Sequence, residues 1–209
     1  MIHVAVADLD AFDQAAYVPA LAREGTLGRQ RLKRILRAKR ITTQRERVAA
    51  SLLLMEMKAL YNLKAPFLYS LSHSGDKVLC AVEDDRWGAR YLGCDIEKIR
   101  SVRENVTKHA FSEEERAFLQ VAKDRNKTFT KIWTLKESCV KALRTGLAVP
   151  LQKVAFDLSG EDIVCHYVSQ NLTFKTAECD DAYCIAICSD GRIDEEIIYR
   201  KWEDGGIYG

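Results

Sequence analysis

Five side chains in two short stretches carry the chemistry open to this sequence. Gly93-Cys94-Asp95-Ile96-Glu97 reads as a strand end. Alternate strand residues point to opposite faces, so Asp95 and Glu97 share one face while Cys94 and Ile96 take the other. Trp133-Thr134-Leu135-Lys136-Glu137-Ser138-Cys139-Val140-Lys141 reads as a helix. Glu137 and Lys141 are four apart and share a face, with Trp133 one turn behind. With Lys136 these make three carboxylates and two ammonium groups. Mg²⁺ is held by carboxylates together with substrate phosphate and water, so the set suits Mg²⁺ with a phosphate beside it.

Plainer readings stand beside this one. Two acids on one strand face are also an ordinary solvated surface. Glu137 and Lys141 are also an ordinary helix pair, worth about 0.3–0.5 kcal/mol. The neighbours tilt the balance. Tyr91-Leu92-Gly93-Cys94 has the character of buried strand, and a buried strand running into two acids needs a counter-charge or a metal.

Several elements must position these groups. Ile2 to Leu9 reads as a strand. Phe12 to Arg23 and Leu27 to Ala38 have helical spacing, and Thr42 or Thr43 caps a longer helix to about Tyr61. Phe67 to Leu71 and Lys77 to Glu83 read as a hairpin, with Ser72-His73-Ser74-Gly75-Asp76 as its turn. That turn is either an ordinary polar one or a phosphate contact through His73. Ser112, with Glu115 three residues on, forms a capping box for the next helix. Asp124-Arg125-Asn126 breaks that helix. The motif helix follows from Phe129 to about Arg144, with Gly146 at its C′ position. Strands follow at Val154 to Leu158, Ile163 to Val168, Leu172 to Ala177 and Tyr183 to Cys188, with a short one at Ile197 to Tyr199. The order is strand, helices, strands, twice over. It predicts an α+β fold of two similar α/β halves, residues 1–90 and 91–209, joined near Asp84 to Tyr91.

Composition narrows the function classes. The 209 residues are 30% charged and 47% hydrophobic with net charge +2, an ordinary soluble balance. Seven cysteines without a C-x-x-C pair argue against a disulfide framework or a zinc site and suit a reducing compartment. No signal peptide and no run near the ~20 apolar residues of a membrane span is present, so a cytoplasmic location without membrane attachment is expected. From Arg29 to Arg47 there are nine Lys or Arg and one acid, Glu46. This run reads as a solvated helix face, a nucleic-acid footprint or the wall of an anion site. It lacks interleaved aromatics and any recognition-helix signature, which argues against sequence-specific nucleic-acid binding. Neither a P-loop nor a Rossmann glycine pattern occurs.

Taken in order, Ser72-His73-Ser74, Gly93-Cys94-Asp95-Ile96-Glu97, Phe111-Ser112-Glu113-Glu114-Glu115 and Trp133 to Ala142 resemble the signature of the 4′-phosphopantetheinyl transferases. The family pattern is S-H-S, G-[IV]-D-x-E, [FW]-[ST]-x-x-E and W-x-x-K-E-[AS]-x-x-K. Cys94 stands where the family has Ile or Val, and Asn62-Leu63-Lys64-Ala65-Pro66 stands where it has a G-K-P loop. Length places the chain nearer the single-chain, pseudo-dimeric, Sfp-like group, whose two halves sit in a pseudo-twofold arrangement. The resemblance implies Mg²⁺-dependent transfer of the phosphopantetheine arm of coenzyme A to a serine of an apo acyl or peptidyl carrier protein, releasing 3′,5′-ADP. The carriers are those of fatty-acid, polyketide or nonribosomal peptide synthesis. It implies Asp95, Glu97 and Glu137 as metal ligands, and Lys141 and Lys136 on the pyrophosphate. His73 and Ser72 would contact the coenzyme phosphates, with Arg40 and Arg47 completing the phosphate wall. Glu137 is the first choice for general base, with Asp95 its rival and Lys141 the third catalytic group. Glu115 is structural. A monomer is expected. The alternatives are a non-catalytic nucleic-acid or anion-binding protein, or another Mg²⁺-dependent enzyme acting on phosphate esters.

Overall fold

The computed structural model describes residues 1–10, 12–13, 33, 35, 37–84, 88–160, 162–167 and 171–202. Nine strands and four α-helices are assigned among them. They are β1 (Ile2–Asp8), α1 (Ile41–Leu60), β2 (Tyr69–Ser74), β3 (Lys77–Glu83), β4 (Leu92–Lys98), α2 (Glu104–Ala110), α3 (Glu113–Val121), α4 (Arg125–Leu143), β5 (Phe156–Asp157), β6 (Val164–Cys165), β7 (Thr173–Cys179), β8 (Tyr183–Ser189) and β9 (Ile193–Arg200). One sheet has the order β2-β3-β1-β9 and a second the order β4-β8-β7, while β5 and β6 form a small separate ladder. The class is α+β. None of the described helices is long and apolar enough to cross a membrane.

Strand alternation builds the layers. On β1, Ala5 and Ala7 face Val48, Leu52, Leu53 and Met57 of α1, and their small size lets the helix lie close. Ile2, Val4 and Val6 take the opposite face. They join Leu79 and Ala81 of β3 in a core shared with Cys94, Ile96, Ile185 and Ile187 of the second sheet. The far face of that sheet, with Ala186 and Cys188, is covered by Leu135, Cys139 and Ala142 of α4. The order of layers is therefore helix, sheet, sheet, helix.

The halves repeat one pattern. Among the described residues, β1 is followed by α1 and β4 by α2 to α4, and each is then followed by a hairpin whose second strand pairs antiparallel with the first: β1 with β3, and β4 with β8. Strand β9 breaks the division, because it returns from the second half and runs parallel to β1. Equating β1 with β4 end to end sets Ala5 and Ala7 against Asp95 and Glu97. Only one half has acids at those positions.

Several local expectations are revised. Helix α1 begins at Ile41 behind Arg40, not behind a threonine cap. The hairpin turn is shorter than expected, because Ser72, His73 and Ser74 continue β2 and the chain reverses at Gly75, φ +60°. Asp124 does not break a helix. Its carboxylate accepts the backbone N–H of Lys127 and caps α4, which starts four residues earlier than its apolar pattern suggests. The left-handed residue ending α4 is Arg144, not Gly146. The strands at 154–158 and 163–168 shrink to two residues each, whereas β9 extends over eight. The capping box of Ser112 and Glu115 forms as expected. The helices expected over 12–23 and 27–38 lie almost wholly outside the described residues.

Gly93 fixes how close α4 comes to β4. A Cβ there would lie 2.0 Å from the carbonyl oxygen of Ser138 and 2.5 Å from the amide nitrogen of Ala142. Both partners are helix backbone, so neither can step aside. Gly93→Ala is expected to destabilise the fold by about 3 kcal/mol or more, at the top of the range for overpacked sites. Gly160→Ala, where nothing lies within 4 Å, should change stability by no more than about 0.5 kcal/mol. Urea unfolding of the two variants checks the contrast.

Candidate active site

The Gly93 contact lays one turn of α4 against the acid-bearing face of β4. Asp95 pairs with Ala186 on β8, on the face covered by α4, and is 3% exposed. Lys141 reaches it from the helix. Its ammonium donates to Asp95 Oδ1 at 2.7 Å, to the Ser72 hydroxyl at 3.0 Å and to the Cys94 carbonyl at 3.2 Å, which occupies all three protons. Ser72 passes its own proton to Asp95 Oδ1 at 2.6 Å. Glu97, two residues on, accepts from the Ser74 hydroxyl at 2.8 Å. Glu137 stands one helical turn before Lys141 and is half-buried.

The electrostatics are those of crowded acids. Burial raises the Glu97 carboxyl, and the charge of Asp95 raises it further against the pull of the Ser74 hydroxyl. Burial raises Glu137 too. Asp95 and Glu97 add to the rise, and Lys141 opposes it without reversing it. Burial works against the Lys141 ammonium, yet Asp95, with Glu137 among the smaller contributors, holds it above its ordinary value. Asp95 Oδ2 is buried and has no hydrogen-bond partner. Lys141 thus balances Asp95 and Glu137, Arg100 acts on Glu97, and Asp95 keeps one oxygen unpaired.

That donor set fits a hard divalent cation such as Mg²⁺: three carboxylates, one orphaned buried oxygen, and no soft ligand aimed among them. Among the described residues, the carboxylate group whose oxygens all lie within 4.8 Å of one another is a different one, Asp8, Asp10 and Asp76. There Lys77 already pairs with Asp8, and the Tyr183 hydroxyl donates to Asp76. The three acids around Lys141 stand wider apart.

A model of the 4′-phosphopantetheinyl transferase superfamily matches residues 91–188, the stretch that holds β4, α4 and β8. Slightly under half of the chain is therefore similar to that superfamily, and the similar part is the one that carries the acids and Lys141. The chain is 31% identical over 127 residues to the 4′-phosphopantetheinyl transferase Sfp of Bacillus subtilis, covering 58% of this chain and 54% of that one. It is 36% identical over 94 residues to the 4′-phosphopantetheinyl transferase AcpT of Salmonella typhimurium, covering 40% and 44%. The chain spans about half the length of the curated relatives it matches. Holo-[acyl-carrier-protein] synthase of Thermotoga maritima aligns over 48% of this chain and 62% of its own at 20% identity, with a TM-score of 0.43.

Two superfamily positions behave differently from the sequence reading. Lys136 does not face the acids. It is fully buried, bonded to Glu115 at 2.8 Å and to the carbonyls of Val154 and Leu151 at 2.6 and 2.9 Å. The reason is helical geometry: five residues from Lys141 is about 140° around the axis. Burial pulls the Lys136 ammonium down, and Glu115 opposes it. Its role is structural, with Glu115, which also accepts the Phe156 amide at 2.9 Å. Ser72 and His73, read together as phosphate contacts, point to opposite faces of β2. The Ser72 hydroxyl is committed to Asp95 and Lys141, while His73 is 39% exposed and stands 3.2 Å from Glu46 of α1. Arg40 and Arg47 are exposed at the start of that same helix.

The sequence reading passed over Ser70 and gave Ser74 no role in holding the acids, because β2 was ended at Leu71. The signal was there: serines at 70, 72 and 74 share one strand face. Ser70 accepts the Cys94 amide at 2.9 Å, and Ser74 accepts the Lys98 amide at 3.2 Å.

Two outcomes follow from the charges. Lys136→Met leaves the Glu115 carboxylate buried without its cation, and should cost about 3–5 kcal/mol in denaturant unfolding. Glu137 holds its proton more tightly folded than unfolded, so the native state binds more protons and loses stability as pH rises from the ordinary 4.5 through the folded value. Glu137→Gln, which cannot ionise, should therefore melt higher than the parent at neutral pH without added metal. The gain should vanish below 4.5.

Proposed function

We propose that this protein transfers the 4′-phosphopantetheine arm of coenzyme A to a serine of an apo acyl or peptidyl carrier protein. The observation that carries the reading is the convergence of Asp95, Glu97, Glu137 and Lys141 between β4 and α4, with Asp95 Oδ2 unpaired. The likeness of residues 91–188 to the 4′-phosphopantetheinyl transferase superfamily supports it.

In this reading Asp95, Glu97 and Glu137 hold Mg²⁺. When bound, the ion supplies Lewis-acid stabilisation of charge on the pyrophosphate. The carrier serine oxygen forms a bond to the β-phosphorus of coenzyme A. The bond from that phosphorus to the bridging oxygen breaks, and 3′,5′-ADP departs with the electron pair. The serine proton passes to a carboxylate. Glu137 is the first choice for that base, because it lies beside the metal position on a rigid helix. Asp95 is less suited, since Lys141 and Ser72 already donate to it. Lys141 stabilises charge on the pyrophosphate as a point cation. His73, together with Arg40 and Arg47 at the start of α1, receives the remaining phosphate of the coenzyme, at the 3′ position. Arg45 is left out of that wall, because its Nε and Nη2 donate to the backbone carbonyls of Phe12, Leu9 and Asp10.

Incubation with coenzyme A, Mg²⁺ and a panel of apo carrier proteins should add the mass of one phosphopantetheine arm to a carrier serine, read by intact-protein mass spectrometry. Failure with every carrier beside an active control enzyme would overturn the reading. Asp95→Ala and Glu137→Ala should each lower transfer at least about 10³-fold while the circular dichroism spectrum is kept. His73→Ala should raise KM for coenzyme A about tenfold with a smaller change in kcat, the pattern of a lost binding contact.

A further inference from the structure

Strand β4 is an edge strand. One side pairs with β8 through the backbone, and among the described residues the other side has no strand bonded to it in a ladder. An edge strand has backbone amides without ladder partners, and buried amides need partners. Here they come from side chains of β2, the edge of the other sheet. Ser70 accepts the amide of Cys94 at 2.9 Å, and Ser74 accepts the amide of Lys98 at 3.2 Å. The intervening Ser72 and the same Ser74 turn their protons onto the strand's carboxylates, Ser72 to Asp95 at 2.6 Å and Ser74 to Glu97 at 2.8 Å. All three serines are buried. The serine face of β2 thus meets the free edge of β4 through a ladder of hydroxyls in place of a ladder of backbone bonds.

The spacing makes the ladder a register device. Serines two apart on β2 meet groups on β4 in a fixed offset, 70 with 94 and 74 with 98. A slip of one residue would exchange all three hydroxyls for the side chains of Leu71 and His73, which belong to the other face. We propose that this ladder positions the metal-binding carboxylates, and that Ser74 is the positioning residue for Glu97. It holds one Glu97 oxygen by donation while its own oxygen is anchored on the Lys98 amide, so the carboxylate is fixed relative to the strand that carries it. Ser72 donates to Asp95 while its oxygen accepts from Lys141, so carboxylate and ammonium are held in one bonded cluster. Outer-shell hydrogen bonds of this kind orient ligating carboxylates, and losing one costs about 10–100-fold in metal affinity.

The inference rests on the reading of Asp95, Glu97 and Glu137 as the metal site, and the test separates the two. Mn²⁺ serves as the probe, its binding to the full chain followed by electron paramagnetic resonance without coenzyme or carrier. The parent should bind one Mn²⁺. Ser74→Ala should bind it about tenfold more weakly with an unchanged circular dichroism spectrum. Ser74→Thr, which keeps the hydroxyl, should recover most of the affinity. If the parent binds no Mn²⁺, or Glu97→Gln binds it as well as the parent, the metal reading itself falls. If the parent binds and Ser74→Ala binds equally well, the ladder has no positioning role. The same conclusion follows if Ser74→Thr is as weak as Ser74→Ala. Should Ser74→Ala fail to fold, Ser74→Cys takes its place: it keeps the volume but donates poorly, and parent-like affinity there would overturn the proposal.

Discussion

Everything at the site depends on the absence of one methyl group. Gly93 lets the backbone of α4 lie where a Cβ would otherwise stand, against Ser138 and Ala142. Those two residues follow Glu137 and Lys141 in the chain, so the contact sets the height of both functional side chains above the strand. With the helix at that distance the Lys141 ammonium reaches Asp95 directly. Any larger residue would lift the helix and open the pair.

The same helix separates two lysines by function. Lys141 lies on the strand-facing side with Glu137 and meets the acids. Lys136, about 140° around the axis, is sealed into the protein against Glu115 and two carbonyls. Glu115 is itself fixed by the capping box at Ser112 and by the Phe156 amide. The buried pair therefore ties α4 to α3 and β5 on one side while the other side presents its charges. The cost is visible in the acids, where Glu97 and Glu137 are held uphill by burial and by their neighbours. A site that strains its own carboxylates is one that gains when a cation joins them.

The two halves share a plan but not a chemistry. Alanines on β1 let α1 pack on its sheet at the positions where β4 carries acids. In the first half those places serve the core. Strand β2 then contributes to the second half's site from outside, through side chains alone. The acids thus stand on the edge strand of the second sheet, where β2 side chains can reach them.

Much of this was legible in the sequence. The acids on one strand face, the pairing of Glu137 with Lys141 and the capping box at Ser112 all follow from spacing, because local periodicity fixes which residues share a face. The α+β class follows from the order of those elements. Other features depend on what meets what across the chain, and periodicity does not carry that. Lys136 and Lys141 are both basic residues on one motif, and only the packing of α3 and β5 against α4 sends one into the core. Ser72 and Ser74 look like turn residues until β3 is seen to pair with them and β4 to lie alongside. Gly93 is one glycine among eleven until a helix backbone is found 2.0 Å from its missing Cβ. The sequence by itself determined which groups can do chemistry. Tertiary structure decided which of them meet, because distance between residues far apart in the chain is a property of the packed sheets and helix and not of any one segment.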